Sequence, residues 1–90
     1  MPKRYILIVS EGCGGCEEAK KLLASDNRVE VLDVTKSLYA ADIIKHAGEQ
    51  TGVYKVPILV EVDPKEDKVC VLENDSRIAC MKESELVKDS

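Results

Sequence analysis

Cys13 and Cys16 stand two residues apart in the stretch EGCGGCEEAKKLLA, with Gly14 and Gly15 between them. Two thiols at this spacing can close a small disulfide ring and work as a redox pair. The same spacing also serves as half of a metal site or as a structural staple. The pair lies between an apolar run and an amphipathic one, where a helix should begin. A helix N-terminus presents unpaired N–H groups and the positive end of the macrodipole. Cysteine pKa values at such sites fall to roughly 3.5–7.5, from about 8.5. Cys13 is expected at the exposed helix start and Cys16 about one turn in. On this reading the Cys13 thiolate attacks a substrate disulfide and Cys16 resolves the mixed disulfide. Gly14 and Gly15 give the backbone latitude for a tight turn and leave the sulfur open to a bulky partner. Glu11, Glu17 and Glu18 oppose thiolate formation, and Lys20 and Lys21 follow about a turn later. The thiol is therefore expected to be less acidic than in the strongest oxidants, which favours a reducing character.

The elements that must position this pair follow from the hydrophobic pattern. YILIV is a continuous apolar run, as expected for a strand covered on both faces. CEEAKKLLAS spaces Ala19, Leu22 and Leu23 as a helix does, with acidic residues early and lysines after them, and Ser25, Asp26 and Asn27 break it. RVEVLDV reads as a second strand. Between Thr35 and Gly48, the residues Leu38, Ala41, Ile44 and Ala47 share one helical stripe; Thr35 or Ser37 caps its start, and Gly48 or Gly52 ends it. VPILVEV is a third strand and KVCVLE a fourth. The DPKED turn between them is too short for a parallel crossover, so they form an antiparallel hairpin. Strands one and two, joined by a helix, form a parallel right-handed unit. The expected order is β-α-β-α-β-β, with a short last helix over KESELVK. It gives an α/β fold with a four-stranded mixed sheet flanked by helices.

Ninety residues without an internal repeat or linker make one domain, 1–90. The hydrophobic share of 44% argues against disorder, and with three tyrosines and no Trp or Phe the interior must be built from Ile, Val and Leu. A net charge of -4 and a pI near 5.0 lack the basic surface that nucleic-acid binding needs. The apolar run after MPKR is too short for a signal peptide, and nothing approaches a membrane span. The expectation is a cytoplasmic monomer with no nucleic-acid or membrane partner. Charged residues at 33%, with one Gln and two Asn, are compatible with a thermophilic source, where intracellular disulfides occur.

A four-cysteine metal site would have to add Cys70 and Cys80, which have nine residues between them and are unlike a compact second knuckle. A cluster bridging two chains through Cys13 is a further alternative, so a non-catalytic metal or iron–sulfur carrier stands as the rival of the redox reading. A third is an interaction module whose CxxC is structural. Cys70 and Cys80 would come together if VCVLENDSRIACM folds back after Asn74-Asp75. They are then a second disulfide, either a staple or an auxiliary redox pair; otherwise they are two independent thiols. His46, the single histidine, falls on the polar side of the second helix as a solvated residue. Tyr39 and Tyr54 read as packing or surface groups.

The CxxC after the first strand, the β-α-β-α-β-β order and the segment QTGVYKVPILV together make residues 4–75 resemble the glutaredoxins of the thioredoxin-like superfamily. The resemblance implies a thioredoxin-like, glutaredoxin-type fold and thiol–disulfide oxidoreductase activity without a bound cofactor or metal. It also implies a cis Val56–Pro57 bond, with Pro57 beside Cys13 and Cys16 and shaping the groove. The backbone at Lys55 and Val56 would pair with an extended segment of a disulfide-containing protein substrate. The chain departs from the family in several places. It has no Trp before Cys13, no Pro or Pro-aromatic dipeptide between the cysteines, and ENDSRIAC where a Gly-Gly and acidic signature helps hold glutathione; Leu7 occupies the place of the buried acid of thioredoxins. The reductant is thus left open between a reductase and a low-molecular-weight thiol.

Overall fold

In the computed structural model, which describes residues 2–23 and 26–88, seven regular elements follow one another. They are β1 (Arg4–Val9), α1 (Gly14–Leu23), β2 (Val29–Asp33), α2 (Leu38–Thr51), β3 (Ile58–Asp63), β4 (Lys68–Glu73) and β5 (Ser76–Lys82). The helix-breaking role expected of Ser25 lies outside the described residues.

The strands form one mixed sheet in the order β2-β1-β3-β4-β5. β1 and β2 run parallel across α1, with Leu7 opposite Val31. β3 lies antiparallel to β1, with Leu7 opposite Leu59, and it forms a hairpin with β4. The expected four strands are corrected to five, because Ser76–Lys82 pairs antiparallel with β4. Asn74 and Asp75 make this possible: both take positive φ, 51° and 65°, as a two-residue hairpin loop of type I′ requires. Asn and Asp tolerate that region better than other side chains with a Cβ. The expected helix over KESELVK is also corrected, since only Glu83–Glu85 forms a single 3₁₀ turn. That segment is held by other contacts. The Asp67 carboxylate accepts from the Ser84 N–H and hydroxyl at 2.8 and 2.6 Å, and the Val87 N–H donates to Asp42 at 2.9 Å. Leu86 drops into the core.

The alternation of β1 divides its side chains between the two sheet faces. Ile6 and Ile8 join Val60, Val62, Val69 and Val71 under α2. Leu7 and Val9 lie on the other face with Cys16, packed by Ala19 and Leu23 of α1. α2 buries Tyr39, Ala40, Ile43, Ala47 and Gly48, whereas Leu38 is 65% exposed. Of the expected stripe only Ala47 is fully inside. Ser37 sets this phase: its Oγ accepts from the Ala40 N–H at 3.1 Å, starting the helix so that Tyr39 turns inward to reach Glu83. Gly52, with φ of 78°, ends the helix. Among the described residues no helix is long and apolar enough to cross a membrane.

Candidate active site

β1 delivers the chain to the edge of the sheet at Val9, and Gly12, with φ of 79°, turns it into α1. The left-handed residue is thus Gly12, not Gly14 or Gly15, which are the first two residues of the helix. The turn sets Cys13 just ahead of α1, partly exposed, and Cys16 inside the first turn, 1% exposed against Leu7 and Val9. The two are joined in a disulfide with Cα atoms 5.2 Å apart.

Three contacts define the chemistry at Cys13. The Cys16 N–H lies 3.1 Å from Cys13 Sγ and 3.2 Å from the Cys13 carbonyl oxygen, so a donor of the helix start is shared with the sulfur that would carry negative charge. Cys13 Sγ lies 3.9 Å from the carbonyl oxygen of Val56. The Val56–Pro57 peptide bond is cis. Gly15 faces Pro57 so closely that a methyl group on it would sit 3.5 Å from Pro57 Cδ, in ordinary contact. Gly14 borders open space.

Lys55, Val56 and Pro57 occupy the segment between α2 and β3, with Lys55 exposed and the other two partly exposed. The Lys55 ammonium turns toward Glu73, at 3.6 Å. The acidic neighbours of the pair are partly compensated, because Lys20 Nζ lies 3.1 Å from the Glu17 carboxylate. Both groups are exposed, so the effect on the thiol is screened.

Cys70 and Cys80 are not brought to this site. They stand opposite each other on β4 and β5, joined in a disulfide with Cα atoms 4.1 Å apart. Tyr5, Glu61, Cys70 and Cys80 form one cross-strand row, while Cys13 lies beyond Val9 at the other end of β1. Four residues of strand separate Tyr5 from Val9, about 13 Å. One chain therefore cannot gather all four cysteines around a metal, and among the described residues no group of three or more His, Cys, Asp or Glu has that geometry. His46 Nε2 is 3.5 Å from Asp42, one turn earlier on α2.

Two features of the site have no local signature in the sequence. Tyr54 lays its ring across Gly48, where any Cβ would collide with it, so the helix end shapes the loop that carries Val56. An apolar hollow opens beside Pro57, walled by residues from three distant segments. Comparison with protein-family models, with curated proteins and with solved structures returns no match for this chain.

Proposed function

We propose that the protein is a small thiol–disulfide oxidoreductase of thioredoxin-like, glutaredoxin-type fold, with Cys13 and Cys16 as its redox couple. The observation that carries this reading is the Cys16 N–H lying 3.1 Å from Cys13 Sγ at the start of α1, with Cys13 partly exposed. The parallel β1-α1-β2 unit, the antiparallel β3–β4 hairpin and cis Pro57 beside the pair support the fold assignment.

In the reduced protein the Cys13 thiolate attacks one sulfur of a substrate disulfide. A Cys13–substrate S–S bond forms, the substrate bond breaks, and its second sulfur leaves as a thiolate that takes up a proton. The Cys16 thiolate then attacks Cys13 Sγ and displaces the remaining substrate thiolate. The substrate gains two electrons and the pair is oxidised to the disulfide. A dithiol reductase or a low-molecular-weight thiol restores it. Burial of Cys16 keeps outside disulfides away from the resolving sulfur, so attack is confined to Cys13.

Redox titration with mass-spectrometric assignment of each thiol tests the reading. Cys13 and Cys16 should oxidise together as a reversible two-electron couple, with a potential toward the reducing side of the known range, below about -200 mV. Cys13→Ser should abolish exchange, and Cys16→Ser should trap the mixed disulfide. A pair that stays unreactive, or thiols that become accessible only as a metal departs, would overturn it in favour of a metal carrier.

A further inference from the structure

The hollow beside Pro57 has a volume of about 290 Å³ and is lined by apolar residues, among them Leu7, Ala19, Leu22, Leu23, Pro57 and Leu59. None of these is charged. Leu22 is 75% exposed, the most exposed of the large apolar residues of the chain's described part. Through Leu23 and Leu59 the hollow runs into a wider depression of about 680 Å³. The two make one trench along the flank of α1, from Pro57 down the sheet face toward Glu61. Its far end is polar: Arg77 pairs with Glu61 at 2.8 Å and Arg28 with Asp26 at 3.1 Å.

We infer that this trench docks an amphipathic helix of the disulfide-bearing partner, with the partner's half-cystine held at the Pro57 end. The inference rests on the oxidoreductase reading and adds the class of substrate. Three observations choose the occupant. Pro57 lines the trench and abuts Gly15 of the CxxC, so a chain bonded to Cys13 meets the apolar end first. The floor is β3, whose two edges are already paired with β1 and β4, so it offers no free backbone groups to an added strand. An occupant of a sheet face must satisfy its own backbone, as a helix does; α2 covers the opposite face in this way. The uncharged near wall demands apolar side chains at helical spacing, and the far end, with Asp75 beside the Arg77–Glu61 and Arg28–Asp26 pairs, accepts polar ones. Pro57 to Glu61 spans about 13 Å of strand, the length of roughly nine helical residues. A small charged thiol would find no partner for its charges in the near half.

The test uses the Cys16→Ser protein and two synthetic peptides of about three helical turns, each beginning with a cysteine capped by 2-nitro-5-thiobenzoate. One peptide carries leucines at i, i+3, i+4 and i+7; in the other these are serines. Attack by Cys13 forms the Cys13–peptide disulfide and releases the coloured thiolate, with no net change of oxidation state. The small symmetrical disulfide 5,5′-dithiobis(2-nitrobenzoate) reports the reactivity of Cys13 itself. The leucine peptide should react about tenfold faster than the serine peptide, the effect of burying one or two apolar side chains in part. Leu22→Lys should bring that ratio close to one, and Leu22→Met should preserve it; circular dichroism checks that both variants fold. Equal rates for the two peptides, with Cys13 still reacting with the small disulfide, overturn the docking inference and leave the oxidoreductase reading standing. No release from any of the three probes overturns both. A dimer in sedimentation that Leu22→Lys dissociates overturns it in favour of a second copy in the trench.

Discussion

Cys70 and Cys80 face each other across β4 and β5 with Cα atoms 4.1 Å apart, the closer of the two spacings that alternate along an antiparallel pair. The bridge fastens β5, the edge strand of the sheet, to β4. Cys70 is 1% exposed, whereas Cys80 is exposed. The bridge shares a cross-strand row with Tyr5, at the end of β1 away from Cys13.

The double variant Cys70→Ala/Cys80→Ala should therefore lose a little under about 3 kcal/mol in urea unfolding, as the closing of a short loop predicts. Disulfide exchange through Cys13 should continue at the wild-type rate in the folded protein. Unchanged stability together with lost exchange would instead make the bridge an auxiliary redox pair.

Gly48 and Tyr54 form a lock between α2 and the loop that carries Val56 and Pro57. A Cβ at Gly48 would overlap the Tyr54 ring, so Gly48→Ala should destabilise by roughly 1–3 kcal/mol through overpacking and should also slow exchange at Cys13. In a Tyr54→Ala background the same change should turn favourable by about 0.5–1 kcal/mol, the helix preference of Ala over Gly. A double-mutant cycle measures this coupling directly. Additive effects would show that the ring can swing aside freely.

The same contrast between near and distant neighbours explains how much was legible in the sequence. β4 matches KVCVLE residue for residue, and Ser37 and Gly52 are among the caps foreseen for α2, because each signal is local. The CxxC is equally local, so its place at the helix start follows from an apolar run and an amphipathic run meeting there. β5 was not legible as a strand. Its alternation is broken at Ile78, the extra residue where the register shifts between Val71 and Leu72, and only Ala79 along it is fully buried. Leu38 looked inward by spacing alone, but α2 starts from its Ser37 cap in the phase that turns Tyr39 inward, where its hydroxyl reaches Glu83, 44 residues away. The trench wall, drawn from Leu7, from Ala19 to Leu23 and from Leu59, exists only once the sheet order is set.

Asp67 ties the β3–β4 turn to the 3₁₀ segment, and the Ser84 hydroxyl and N–H bonds hold its carboxyl below the usual carboxylate range. Hydrogen bonds from Thr35 do the same for Asp33. A depressed folded-state pKa contributes stability above the unfolded value of about 3.9, and that contribution fades as pH falls through the folded value. Resistance to thermal unfolding should thus fall below about pH 4. Asp67→Asn, which tolerates the positive φ of 52° at this position, should unfold more readily at pH 6 and show a shallower acid loss. An acid limb as steep as the wild type's would remove Asp67 from this account.

Tyr39 sets the opposite limb. Its ring is 7% exposed, its hydroxyl donates to Glu83 at 2.9 Å, and Lys88 Nζ lies 5.1 Å from the ring centroid. Burial first, and then the hydrogen bond to Glu83, push its pKa well above the ordinary tyrosine value of 10.0. The folded protein therefore keeps the phenol proton at a pH where the unfolded chain releases it. Stability from this group is complete below about pH 10 and is lost as pH rises toward the folded value. Tyr39→Phe should cost about 1 kcal/mol at neutral pH, where the hydrogen bond is removed while the ring packing is kept. Above about pH 10 the difference between the two proteins should shrink, because only the wild type has a phenol to ionise. Glu83 keeps Lys88 at 3.5 Å in the variant, so its carboxylate is not stranded and the comparison isolates the phenol. Equal alkaline limbs in Tyr39→Phe and wild type would mean that neither burial nor the bond to Glu83 holds the phenol proton in solution. The 3₁₀ segment would then be held by Asp67, Asp42, the Glu83–Lys88 pair and the burial of Leu86.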